Sequence, residues 1–209
     1  MELILISLLS LFNIQVSDFK LQNGDLIFQE SCSDGVGNAI KEVTSSIDEY
    51  RFTHVGIVYI DEKDRVFVIE ATHPKVAMTP LHDYLFPKDK PCYPISVVGR
   101  LKEEYHHLIP AALEDGLKLV GKEYDYGYIL DNDKYYCSEL IYDILLKANN
   151  GVAVFPLNVM TFKSAETDDF SERWIKYFEK LGMDIPEGEL GINPGAMSRS
   201  DVIDIIYSY

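Results

Sequence analysis

The sequence predicts an α+β fold. Three observations carry that prediction. Short β-branched and aromatic runs follow one another between positions 25 and 101, and the clearest amphipathic helix lies beyond them, at 136–147. The remaining helical stretches sit mainly towards the two ends of the chain, an order of strands first that suits an α+β layer architecture. With 209 residues, 47% hydrophobic and 25% charged, the chain is neither disordered, collagen-like nor a coiled coil. Its length suits one domain with a sizeable core.

The elements are expected in the following order. Positions 3–14 read LILISLLSLFNI, nine of the twelve strongly apolar, before turning polar at Gln15. Twelve residues are too few to span a bilayer but suit the apolar core of an export signal, so 1–19 is expected to be a signal peptide and 20–209 one domain. The alternative is a buried N-terminal helix or strand, and no Lys or Arg precedes the apolar run. The chain is accordingly expected to be exported, periplasmic or extracellular, with a cytoplasmic location as the alternative. A strand at 25–29 follows the Asn23-Gly24 turn signal, and a helix at 36–46 is entered through Gly35. The G-x-G there is not a dinucleotide loop, because Ile40 stands at the third glycine position. Runs at 53–60 and 65–71, separated by Asp61-Glu-Lys-Asp64, form a hairpin. Further strands are expected at 76–78 and 95–101, a short helix at 81–85, and a helix over 103–120 interrupted at Pro110. The helix at 136–147 places Leu140, Ile141, Ile144 and Leu145 on one face, with Asp131, Asn132 and Asp133 as candidate caps and Asn149-Asn150-Gly151 as its stop. A last amphipathic helix at 170–181 precedes a Pro- and Gly-rich loop at 185–195.

Nineteen Lys+Arg against 34 Asp+Glu give a net charge of −15. A body that acidic repels phosphate backbones, so no nucleic-acid partner is expected. No stretch beyond the leader is long and apolar enough for a membrane span. Three cysteines, at 32, 92 and 137, without a C-x-x-C pair exclude a disulfide scaffold and a cysteine-caged zinc, and no metal or cofactor is expected. In an oxidising compartment Cys32 and Cys92 are candidates for a bridge, leaving Cys137 as the odd thiol. Asp131-Asn132-Asp133 begins like a calcium loop, but a calcium loop needs Gly at 136 and Glu at 142, where this chain has Tyr.

Cys137 falls in the first turn of the clearest helix, on the face of Leu140 and Ile141. The positive helix end stabilises a thiolate, and its N–H groups bind an oxyanion. Taken alone, the residue reads more readily as a small buried hydrophobe than as a nucleophile. His54 lies in a strand with Gly56 two residues on, which lets another element approach; a core histidine is the alternative. Glu70 closes the apolar run Val66-Phe-Val-Ile. If Ile60 paired with Arg65, His54 would oppose Ala71 and Glu70 would face the other way. His54 opposing Glu70, numbers summing to 124, requires an odd hairpin loop or a bulge, and that offset is expected. Together the three supply a nucleophile, a base and an orienting carboxylate.

Asn23-Gly24-Asp25-Leu-Ile-Phe28, Phe52-Thr-His54-Val-Gly-Ile57, Val68-Ile-Glu70-Ala and Tyr136-Cys137-Ser-Glu-Leu140 occur in this order. In these motifs the chain resembles the YiiX/YebB-like branch of the NlpC-type, papain-like cysteine hydrolases, over roughly 24–205. Thr79-Pro80-Leu81, Tyr124-Asp125 and Ile192-Asn-Pro194 add to the likeness. The resemblance implies a circularly permuted papain-like fold, histidine before cysteine, with an antiparallel barrel-like sheet packed against the cysteine helix. It implies a Cys137–His54–Glu70 triad cleaving amide bonds of cell-wall peptides, while some members are linked to lipids or fatty acyl groups. Related permuted enzymes transfer acyl groups, so a thiol acyltransferase and a non-catalytic binder of the same fold are the alternatives. Tyr124 and Gln29 are candidates for a second oxyanion donor or a substrate contact. The chain departs from the pattern in lacking a wall-binding module and a basic leader. Its charge disfavours an acidic wall peptide at long range and suits a neutral or acyl-bearing substrate, although salt screens beyond roughly 10 Å.

Overall fold

A computed structural model describes residues 19–32, 36–88, 92–164 and 167–209. The apolar leader at 3–14, nearly all of the expected signal segment and Gly35 lie outside the described residues.

The frame is a six-stranded antiparallel sheet in the order β4-β3-β2-β1-β5-β8, with β4 and β8 as its edges. Its strands are β1 (Leu26–Glu30), β2 (His54–Ile60), β3 (Val66–Ala71), β4 (Val76–Pro80), β5 (Ile95–Leu101) and β8 (Ile203–Ser208). The inner strands read as unbroken apolar runs because both faces of the sheet are covered. On one face Leu26, Phe28, Ile57, Ile69 and Val97 join the main core with α3 (Ile109–Leu119) and α4 (Cys137–Ala148). On the other, Ile27, Val58, Val68 and Val98 pack beneath Tyr84 and Leu85 of α2 (Leu81–Leu85). Asp25, 1% exposed, ties this frame to β5 through a bidentate pair with Arg100, at 2.7 Å from Nε and 2.8 Å from Nη2.

Sheet register fixes where the hairpin residues point. Ile60 pairs with Val66, leaving 61–65 as a five-residue loop, odd in length as expected. The pairs sum to 126 rather than 124, so His54 and Glu70 share a face but stand diagonally, with Gly56 opposite Glu70.

Four local expectations are corrected. Residues 103–120 do not form one helix: a 3-10 turn covers Glu103–Leu108 and α3 starts with Pro110 in its first turn, where proline's missing N–H costs nothing. The N-cap of α4 is Tyr136, not an Asp or Asn upstream, and its N–H is met at 3.2 Å by the Glu139 carboxylate returning from the first turn. The 185–195 loop holds β7 (Leu190–Gly191), which pairs with β6 (Asn158–Val159), and the start of α6 (Pro194–Ser198). Strand β8 was not anticipated at all. The remaining helices, α1 (Val36–Val43) and α5 (Glu172–Leu181), pack together, with the buried Trp174 indole donating to Ala39 O at 3.2 Å. Cys32 and Cys92 are bridged at the end of the β1–β5 pair, and Cys137 is a free, buried thiol.

Candidate active site

The helix that carries the thiol is held by its apolar stripe. Leu140, Ile141, Ile144 and Leu145 are fully buried, and α4 packs against β2 and β3. This burial sets Cys137, 6% exposed, as the first helical residue, ahead of the first intrahelical bond from Leu140 N to Tyr136 O. Its own N–H therefore points out of the helix start, where backbone dipoles favour negative charge. Ser138 pins that turn by donating to Ile192 O at 2.8 Å.

His54 opens β2, its ring is hydrogen-bonded to Glu70, and Cys137 at the start of α4 is near enough to act on the ring's proton affinity. The ring Nε2 lies 2.6 Å from Glu70 Oε2, which leaves Nδ1 free of the carboxylate. Burial pulls the ring's pKa down, but its interactions with Cys137 and Glu70 and their negative charges outweigh it and raise it from 6.5 to about 10. The imidazole thus holds its second proton throughout the neutral range. Glu70 Oε1 accepts from Thr79 Oγ1 at 2.5 Å, so the carboxylate is held from both sides. Sequence reasoning met Thr79 only as part of the family likeness and gave it no role: a threonine in an edge strand reads as ordinary β composition, and only its pairing across from Val68 places it beside Glu70. Tyr84, whose ring centroid lies 5.8 Å from that of His54, was also missed; its hydroxyl donates to Ile27 O.

The diagonal His54–Glu70 contact depends on Gly56. A Cβ there would stand 2.4 Å from Val68 Cγ1 and 3.3 Å from Glu70 Cβ. Gly56→Ala is therefore expected to lower stability by about 1–3 kcal/mol, as overpacking does, and to cut turnover by displacing the carboxylate. Urea midpoints and kcat/KM measured on the same preparation test both parts.

The other two candidates diverge. Tyr124 is buried; burial first, and the neighbouring Cys137 and Tyr177, hold it well above the ordinary tyrosine range as a neutral phenol. Gln29 lines the polar cleft with its amide nitrogen donating to Tyr84 O at 2.9 Å and Ser96 Oγ at 3.1 Å. Of the calcium-like run, Asp133 pairs with Lys122, and Asn132 Oδ1 accepts from Lys134 N.

Two cavities meet at this point. Cys137 lines a mainly apolar one of about 190 Å³ with Tyr136, Met160, Phe162 and Ile192. His54 and Glu70 line a larger, more polar cleft of about 480 Å³ with His73, Asp83 and Tyr84, and Tyr124 and Tyr128 border both.

One buried acid close to the thiol titrates at the neutral edge. Burial, then the carboxylates of Asp125 and Asp143, push Glu139 up to about 8, against hydrogen bonds from backbone N–H groups. A carboxyl whose folded pKa exceeds its unfolded value of 4.5 binds its proton more tightly when folded. Its contribution is complete below about 4.5 and is lost as pH rises towards 8. Glu139→Gln keeps the acceptor for Tyr136 N–H without the charge. The variant is expected to gain on wild type over that window by up to about 1.4 kcal/mol per pH unit, which denaturant melts at pH 5 and pH 8 resolve.

The model of a family described as permuted papain-like amidases, YaeF/YiiX, C92 family, matches residues 20–207. The uncharacterized protein YiiX of Escherichia coli K12 is 27% identical over 199 residues, covering 94% of this chain and 90% of that protein. A crystal structure described as the metalloprotein YiiX from Escherichia coli O157:H7 superposes with a TM-score of 0.71 at 23% identity, covering 91% of this chain and 99% of that one. The described residues of this chain do not fit a metal centre. Both Glu70 oxygens are engaged, and among the described residues no group of three or more His, Cys, Asp or Glu is placed to hold an ion.

Proposed function

The chain belongs to the permuted papain-like amidase family, and so to the cysteine hydrolases, and from that premise we propose that it cleaves an amide bond through Cys137, His54 and Glu70. The observation that carries the reading is the line of hydrogen bonds from Thr79 through Glu70 to the His54 ring, whose proton affinity the neighbouring Cys137 raises further. The thiolate attacks the carbonyl carbon; the new S–C bond sends the carbonyl pair onto oxygen, where the Cys137 N–H and the helix dipole stabilise it. As the tetrahedral species collapses, the C–N bond breaks and the His54 imidazolium gives its proton to the departing amine. Water then attacks the thioester, its proton passes to His54, and the acid leaves with the thiol restored. Glu70 holds Nε2–H, leaving Nδ1 for the proton transfers of both halves.

The acyl half belongs in the apolar cavity beside the sulfur and the amine in the polar cleft beside the imidazole. A body of net charge −15 favours a neutral or acyl-bearing substrate over an acidic wall peptide. Action in an oxidising compartment outside the cytoplasm is supported by the Cys32–Cys92 bridge. Among the described residues no helix is long and apolar enough to cross a membrane.

Intact-mass detection of an acyl adduct on Cys137 tests the reading. Wild type incubated with a panel of chromogenic amides is expected to show an adduct that Cys137→Ala lacks, and an adduct on both, or on neither, contradicts it. Adding an amine acceptor separates the two outcomes for the thioester: free acid marks a hydrolase, new amide an acyltransferase.

A further inference from the structure

One residue lining the apolar cavity carries a buried polar atom with nothing to bind. Asn158 lines it, and its Oδ1 is buried without a hydrogen-bond partner among the described residues. The orientation of the amide is fixed by its other end: Nδ2 donates to Val159 O at 3.1 Å and approaches Met160 Sδ at 3.7 Å. Turning the group over would set its oxygen against the Val159 carbonyl, acceptor to acceptor. A buried acceptor without a donor is unfavourable, and such atoms are rare in folded proteins. Here the residue that carries it lines the cavity of the thiol, the side on which the acyl group must sit once sulfur is bonded to the carbonyl carbon.

We propose that Asn158 is a specificity residue whose oxygen accepts a hydrogen bond from an N–H of the substrate's acyl half. The preferred acyl group is then peptidyl or N-acylaminoacyl, and a plain alkanoyl chain, which offers no donor, is disfavoured. This rests on the thiol reading above and names the substrate class for it. A carbon chain would fill the apolar wall but leave Oδ1 unpaired, so discrimination comes from the penalty on the wrong substrate as much as from the bond to the right one. The oxygen is sealed from solvent as it stands, so its donor arrives with a substrate that parts the β6–β7 ribbon. That ribbon is two residue pairs long, with Val159 and Leu190 65% and 56% exposed, and the bonds that would have to give are those between Met160 and the Gly188–Glu189 backbone.

The test uses two acyloxymethyl ketones, N-acetyl-alanyl-alanyl and its doubly N-methylated counterpart, which differ only in having or lacking N–H donors. The second-order rate of Cys137 labelling is read by intact mass. Wild type is expected to label about ten- to a hundredfold more slowly with the methylated probe. Asn158→Leu is expected to react with the two probes at rates within about twofold of each other. An equal penalty in wild type and Asn158→Leu, or none in wild type, overturns the proposal. If His54→Ala labels at the wild-type rate with both probes, the triad fails, while the methylation penalty still decides the role of Asn158.

Discussion

Cys137→Ala is expected to reduce amide hydrolysis by at least about four orders of magnitude, the scale on which loss of a covalent nucleophile ordinarily acts. The fold is expected to survive. The thiol makes a small part of a core in which Leu140, Ile141, Ile144 and Leu145 hold the helix, and alanine is favourable at a first helical position. An unchanged thermal midpoint alongside lost turnover is therefore the predicted combination. Cys137→Ser is expected to be nearly as inactive, since the hydroxyl presented to the same ring is a far weaker nucleophile. Residual turnover above about one per cent of wild type in the alanine variant would mean that the reaction does not pass through sulfur.

His54→Ala is expected to lower kcat/KM by about a hundred- to ten-thousandfold, the range of a general acid–base catalyst, and to change the pH profile. In wild type the ring stays protonated until about pH 10, because its interactions with Cys137 and Glu70 outweigh the effect of burial. The ring's folded pKa lies above its ordinary value of 6.5, so the stability it lends is complete below 6.5 and is lost as pH rises through about 10. Activity that uses the imidazolium as acid is expected to fall along the same alkaline limb. Glu70→Gln removes the charge while leaving an oxygen to accept from Nε2–H. It is expected to shift that limb to lower pH with only a modest loss at neutrality, and NMR titration of the His54 ring resolves the shift directly.

Much of this arrangement is written in local pattern. The stripe Leu140, Ile141, Ile144 and Leu145 has helical spacing and nothing else to pack against, so it places Cys137 at a helix start. The parity of the hairpin follows from requiring His54 and Glu70 on one face, and the odd loop at 61–65 meets it. The diagonal offset was not legible, because it depends on the missing side chain at Gly56 leaving room between Val68 and Glu70. The partners of Gln29, Tyr84 O and Ser96, were not legible because they are 55 and 67 residues away. Strands β6 and β7 carry two residues each, too few to show any period, so the wall bearing Asn158 had no sequence signal. Thr79 was hidden for a related reason: its partner Glu70 becomes visible only through the β3–β4 register.

The measurement that reaches the central claim most directly is the rate at which iodoacetamide alkylates Cys137 at pH 7, compared between wild type and His54→Ala by peptide mass mapping. With Cys32 and Cys92 bridged, Cys137 is the thiol left to react. A sulfur activated by the imidazolium is expected to react at least about tenfold faster in wild type. Equal rates in the two proteins would show that ring and sulfur do not work as one unit.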